Sequence, residues 1–158
     1  MKRRAAFLVI SACLQLMLTP IFHANPESLN LINYGLSFRA LPIIILSSVL
    51  VTCFDVNAIL IPVSDIFQIS EMIKTRTSTF KYLVIGYRHT LPLLLSYLVF
   101  EMISLFSLHV SVDLFGLAGL VGLNFIGVLM ALKLGKQRYL FMILFGLMIA
   151  GKLALTVA

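Results

Sequence analysis

The chain of 158 residues is 61% hydrophobic and 11% charged, with a mean hydropathy of +1.08 and a formal net charge of +6. So little polar surface cannot cover a water-soluble globule, and the basic excess gathers at the ends of apolar runs, where it sets orientation and meets anionic lipid rather than nucleic acid. The composition predicts an all-α, multi-pass protein of a bacterial-type cell membrane, long enough for about five spans of ~20 residues in one bundle (1–158) without a separate soluble domain.

The basic start, Met1-Lys2-Arg3-Arg4, leads into an apolar run read as an uncleaved first span, 5–22. Two other fates compete for it. A signal-peptide cut needs small residues, and Phe22-His23-Ala24 offers one. Ile10-Ser11-Ala12-Cys13 resembles a lipobox before a lipid-modified cysteine, but Leu14 to Leu18 stays apolar where a lipoprotein turns polar. Cys13 and Cys53 both lie in apolar runs and read as small packing residues rather than a disulfide or metal framework.

Residues 23–38 read as an external loop, with Asn25-Pro26 as its turn signal. The second span, 40–61, ends at Pro62 and carries Asp55 and Asn57 in its inner half, where water and basic side chains would reach them. The segment 63–89 then mixes charge with apolar residues at helical spacing. Ile66, Ile69 and Ile73 recur on one face, while Glu71 and Lys74 fall on the other, with Arg76 beyond. It reads as a cytoplasmic amphipathic helix that Ser64 caps.

Thr90-Leu91-Pro92 reads as an N-cap followed by proline in the first turn, opening a third span over 91–110. A tight outer turn at Ser111-Val112-Asp113 precedes the fourth span, 114–132, and a basic loop leads to the fifth, 139–157. Lys and Arg collect at the N-terminus, after span two and after span four, the three places that five alternating spans put on one side. The N-terminus is therefore expected in the cytoplasm and the C-terminus outside. With no Trp in the chain, Tyr34, Tyr82, Tyr87, Tyr97 and Tyr139 are the residues left to form an interfacial belt.

Ionisable groups inside spans mark candidate sites. At 1.5 Å per residue, Glu101 and Lys152 fall about 16 and 20 Å from the cytoplasmic ends of their spans, which predicts a Glu101–Lys152 pair. Such a pair either locks spans three and five together or forms a polar point in a transport path. Asn124 can hydrogen-bond across helices. Ala118 with Gly122, Gly127 with Ala131, and Gly146 with Ala150 are small residues four apart that let helices of this or a second chain approach closely.

Catalytic signatures are missing. Leu134-Gly135-Lys136-Gln137 lacks both the glycine spacing and the Ser or Thr of a P-loop, and no HExxH, GxSxG or paired-acid motif occurs. His23, His89 and His109 fall on both sides of the membrane and cannot share a metal. The reading is a non-enzyme with no catalytic residue, metal or cofactor.

The order of parts, with Ser70-Glu71-Met72-Ile73-Lys74-Thr75-Arg76-Thr77-Ser78-Thr79-Phe80-Lys81-Tyr82-Leu83 between spans two and three, resembles the membrane subunits of type-2 ABC exporters, including the small permease-like proteins of bacteriocin and lantibiotic export or immunity systems. With five spans rather than that family's usual six, and without its glycine after the acid, the resemblance implies a shortened permease or an accessory subunit. It implies that Ile66 to Arg76 contacts a separate cytoplasmic ATPase, and that a second membrane subunit, identical or different, completes the path. Two other functions fit the same residues: a non-transporting immunity or assembly protein that binds another membrane protein, and a secondary transporter with Glu101 as its proton site.

Overall fold

The computed structural model describes residues 2–22, 27–67, 78–107, 112–135 and 139–157. Six helices account for nearly all of them: α1 (Lys2–Ile21), α2 (Glu27–Tyr34), α3 (Pro42–Phe67), α4 (Thr79–Ser107), α5 (Leu114–Leu134) and α6 (Leu140–Val157), with no strand among the described residues. Helices α1, α3, α4 and α5 are long and apolar enough to cross a membrane, and α6 is a shorter apolar helix. This fits a membrane protein, as the composition predicts.

The four long helices and α6 alternate in direction. Arg4 near the start of α1 meets Asp65 near the end of α3, while Thr156 near the end of α6 donates to the Leu36 carbonyl before α3 begins. We call these the Arg4 end and the Thr156 end. Helix α3 is the hub, packing on every other helix, and α1 lies along α4 as α5 lies along α6.

The stretch 23–38, expected to be a loop, instead contains α2. Leu29, Ile32, Asn33 and Tyr34 are all buried there. Eight residues are too few to hold a helix in isolation. Tertiary contacts hold this one: Ser48 Oγ donates to the Gly35 carbonyl at 2.7 Å and Thr156 Oγ1 to the Leu36 carbonyl at 2.9 Å, tying down the turn that ends it.

Both prolines read as span boundaries lie inside helices. α3 continues through Pro62 to Phe67, and α4 begins at Thr79, well before Pro92. Proline removes one backbone donor, but neighbouring helices and hydroxyl side chains make that tolerable in an apolar bundle. Ser64 therefore caps nothing and donates to the Ile61 carbonyl within α3 at 2.7 Å, and Thr90 donates to Gly86 within α4 at 2.9 Å. The proposed amphipathic segment 63–89 thus divides. Its first residues, including buried Ile66, finish α3 and its last belong to α4; Ile69, Glu71, Ile73, Lys74 and Arg76 lie outside the described residues.

The other boundaries agree with expectation to within a few residues. Asp113 caps α5, its Oδ1 accepting from the Phe115 amide at 3.1 Å, and Gly135 at φ 69° ends it by donating to the Ala131 carbonyl at 3.0 Å. The tyrosine belt is largely a core: Tyr34, Tyr82 and Tyr97 are buried, whereas Tyr139 is exposed.

Candidate functional site: a buried ionic cluster

In the middle of the bundle, Asp55 of α3, Tyr97 and Glu101 of α4, and Lys152 of α6 converge, each at most 1% exposed. Helical periodicity puts them there. Ser48, Thr52 and Asp55 follow one stripe of α3; Tyr97 and Glu101, four apart, share a face of α4; and Lys152 continues the fully buried stripe of Leu144 and Met148 on α6.

The pairing differs from expectation. Lys152 Nζ approaches Asp55 Oδ2 at 2.8 Å, as an ionic contact rather than an aligned hydrogen bond, and Glu101 is a third charge in its range, not its partner. Asp55 is not a hydrated rim residue. Because α3 runs on to Phe67, Asp55 lies about 18 Å from the helix end, near the middle of a ~30 Å apolar layer. The Tyr97 hydroxyl lies against both carboxylates without an aligned hydrogen bond to either. Its ring packs on Phe7 of α1 at a centroid distance of 5.9 Å, and Phe54 packs on Phe7, tilted, at the same distance.

The remaining polar candidates do not join it. Asn57 donates to the Cys53 carbonyl at 2.8 Å and Asn124 to the Leu120 carbonyl at 3.0 Å, each within its own helix, so Asn124 makes no cross-helix amide bond. Asn124 borders a small apolar recess with Tyr87 and Thr90. Between α4 and α5 the link is Tyr87, whose hydroxyl donates to the Phe125 carbonyl at 2.7 Å and whose ring stacks on Phe125.

The small residues divide into two sets. Gly127 and Ala131 are buried within the chain, where a Cβ on Gly127 would meet Ile59 Cδ1 at 2.7 Å. Ala118, Gly122, Gly146 and Ala150 face outward, with nothing within 4 Å of a Cβ at Gly122 or Gly146.

A second charged group holds the Arg4 end. Arg4 donates to Asp65 through Nη2 at 2.6 Å and Nε at 3.2 Å and also contacts His89, whose Nε2 lies 3.8 Å from Asp65 Oδ2. These are one residue each from α1, α3 and α4, and Asp65 lies two residues before α3 ends at Phe67. At the Thr156 end, Tyr34, Gly35, Asp113, Gly116 and Thr156 line a cleft of about 420 Å³.

Fold and site together define an all-helical, membrane-type bundle with an ionic core. Comparison with protein-family models, curated proteins and solved structures finds no match to this chain. Sequence reasoning singled out Asp55, Glu101 and Lys152 but missed Tyr97 and Tyr34. Both had been assigned by residue type to the interface, although the four-residue spacing of Tyr97 to Glu101 was available as a signal.

Proposed function

We propose that the chain is a permease-like membrane subunit of an exporter-type complex, inserted with five spans and its N-terminus in the cytoplasm, and driven by ATP hydrolysis on a separate cytoplasmic chain. The observation that supports this reading is the Arg4–Asp65–His89 clamp. It joins three helices at the base of the 68–77 connection, so a push on that connection moves α1, α3 and α4 together rather than bending one of them. Residues Ile66 to Arg76 are then the ATPase contact, with Glu71, Lys74 and Arg76 presented to it.

The test is purification of the tagged protein from its native membrane in mild detergent, with mass spectrometry of what accompanies it. A cytoplasmic ATPase recovered with the wild type and lost from the Glu71→Ala, Lys74→Ala, Arg76→Ala triple variant supports the reading. Recovery of membrane proteins alone removes it.

That last outcome favours a second reading, a non-transporting immunity or assembly protein. Its support is the outward small-residue face of Ala118, Gly122, Gly146 and Ala150, which admits a helix of another membrane protein at close range. On the exporter reading, the same face receives the second membrane subunit.

A further inference from the structure

The buried cluster does not balance. Two carboxylates, Asp55 and Glu101, share the core with one ammonium, Lys152. Lys152 sits on Asp55, which leaves Glu101 as the excess acid. A lone ionised carboxylate at the centre of an apolar bundle is strongly disfavoured, and a second carboxylate close by disfavours it further. Something must supply one positive charge.

The groups facing Glu101 can be named for each helix packed against it. α3 presents Asp55; α6 presents Lys152; α4 itself presents Tyr97; α2 presents Tyr34, whose hydroxyl is within electrostatic range of both Glu101 and Asp113. From α1 the only polar side chains in the buried stripe are the uncharged Ser11 and Gln15, and the buried polar side chain of α5 is the uncharged Asn124. Among the described residues these helices present there, no second basic group is found.

The cleft at the Thr156 end opens beside one of these groups, Tyr34. Exposed Asp113 and buried Tyr34 both line it, and the Tyr34 hydroxyl has no hydrogen-bond partner among the described residues, a costly state for a buried phenol unless water or a proton donor serves it. Tyr34 thus has Asp113 beside it in the cleft and Glu101 within electrostatic range.

We propose that Glu101 is a proton-binding site, exchanging its proton with water through the Tyr34–Asp113 cleft. On binding, the Glu101 carboxylate takes a proton to become a neutral carboxyl and the cluster reaches electroneutrality with the Lys152–Asp55 pair intact. On release, the same O–H bond breaks and the proton leaves toward Tyr34. The site does not depend on the exporter reading, since it follows from the charge count within this chain.

The test is labelling of the whole protein in detergent with dicyclohexylcarbodiimide, an apolar carbodiimide that adds to a protonated carboxyl and rearranges to a stable N-acylurea, read by peptide mass mapping across a pH series. The expected result is modification at Glu101 that falls as pH rises, approaching about tenfold per unit on the alkaline side of the titration. It should vanish in Glu101→Gln. Replacing choline with sodium or potassium at constant pH and ionic strength should change nothing. Modification at Asp55 instead, no modification of Glu101 in correctly folded wild type, or protection by sodium or potassium, which would make the balancing charge a metal cation, would each overturn the proposal. The wild-type pH series decides the matter even where a variant fails to fold.

Discussion

Lys152 of α6 and Asp55 of α3 meet at 2.8 Å with both side chains fully buried, although almost a hundred residues separate them. Removing one member strands the other. Lys152→Met would leave the Asp55 carboxylate in the core with no counter-charge, and should cost about 3–5 kcal/mol. Adding Asp55→Asn should restore much of that loss. Denaturant titration of the four proteins in the double-mutant cycle checks the coupling, and a purely additive result would refute the pair.

Glu101→Gln should behave in the opposite sense. It mimics the protonated carboxyl in charge and shape, so its cost should be below about 1.5 kcal/mol, the range for a single hydrogen-bonding group. The same titration distinguishes this arrangement from a Glu101–Lys152 pair, for which Glu101→Gln would be as damaging as Lys152→Met.

Gly116 packs against something that cannot move aside. A Cβ there would meet Tyr34 Cβ at 2.8 Å and Asp113 Oδ2 at 2.7 Å, one attached directly to the α2 backbone and the other part of the α5 cap. Gly116→Val should cost about 1–3 kcal/mol by overpacking. Gly122→Val and Gly146→Val meet open space and should leave the monomer's thermal midpoint unchanged. If their outward face binds a second helix, those two variants should instead reduce recovery of the membrane partner.

Tyr87→Phe retains the ring stacked on Phe125 at 5.3 Å but loses the donor to the Phe125 carbonyl. A loss of about 0.5–1.5 kcal/mol is expected. An unchanged unfolding midpoint would show that water replaces the bond.

Arg4 and Asp65 form the opposite kind of ion pair, 26% and 45% exposed. Arg4→Gln should therefore alter stability by less than about 1 kcal/mol, and by less still at high salt. Its predicted effect is on coupling. If the clamp carries motion from the 68–77 connection, Arg4→Gln and Asp65→Asn should lower transport-linked ATP turnover while the protein remains folded and bound to its ATPase.

Hydropathy alone made the apolar helices legible: runs such as Leu114 to Leu132 and Tyr139 to Val157 must satisfy their backbone groups internally, and helix does so within a single segment. The same chemistry flagged Asp55, Glu101 and Lys152, because charge within such runs is rare and expensive. The sequence did not reveal where helices stop at proline. Pro62 and Pro92 are breakers in water, but in a bundle their missing hydrogen bonds are outweighed by packing along Ile59, Val63 and Ile66 on one side and Leu93, Leu94 and Tyr97 on the other. Nor did it reveal α2, whose eight residues are held by the burial of Leu29 and Ile32 and by the bonds from Ser48 and Thr156 to the turn that follows. Partner choice was the last thing left open. Depth along a helix allowed Lys152 either acid, and only the rotation and neighbour order of α3, α4 and α6, set by which faces pack, gave it Asp55 and left Glu101 without a basic partner.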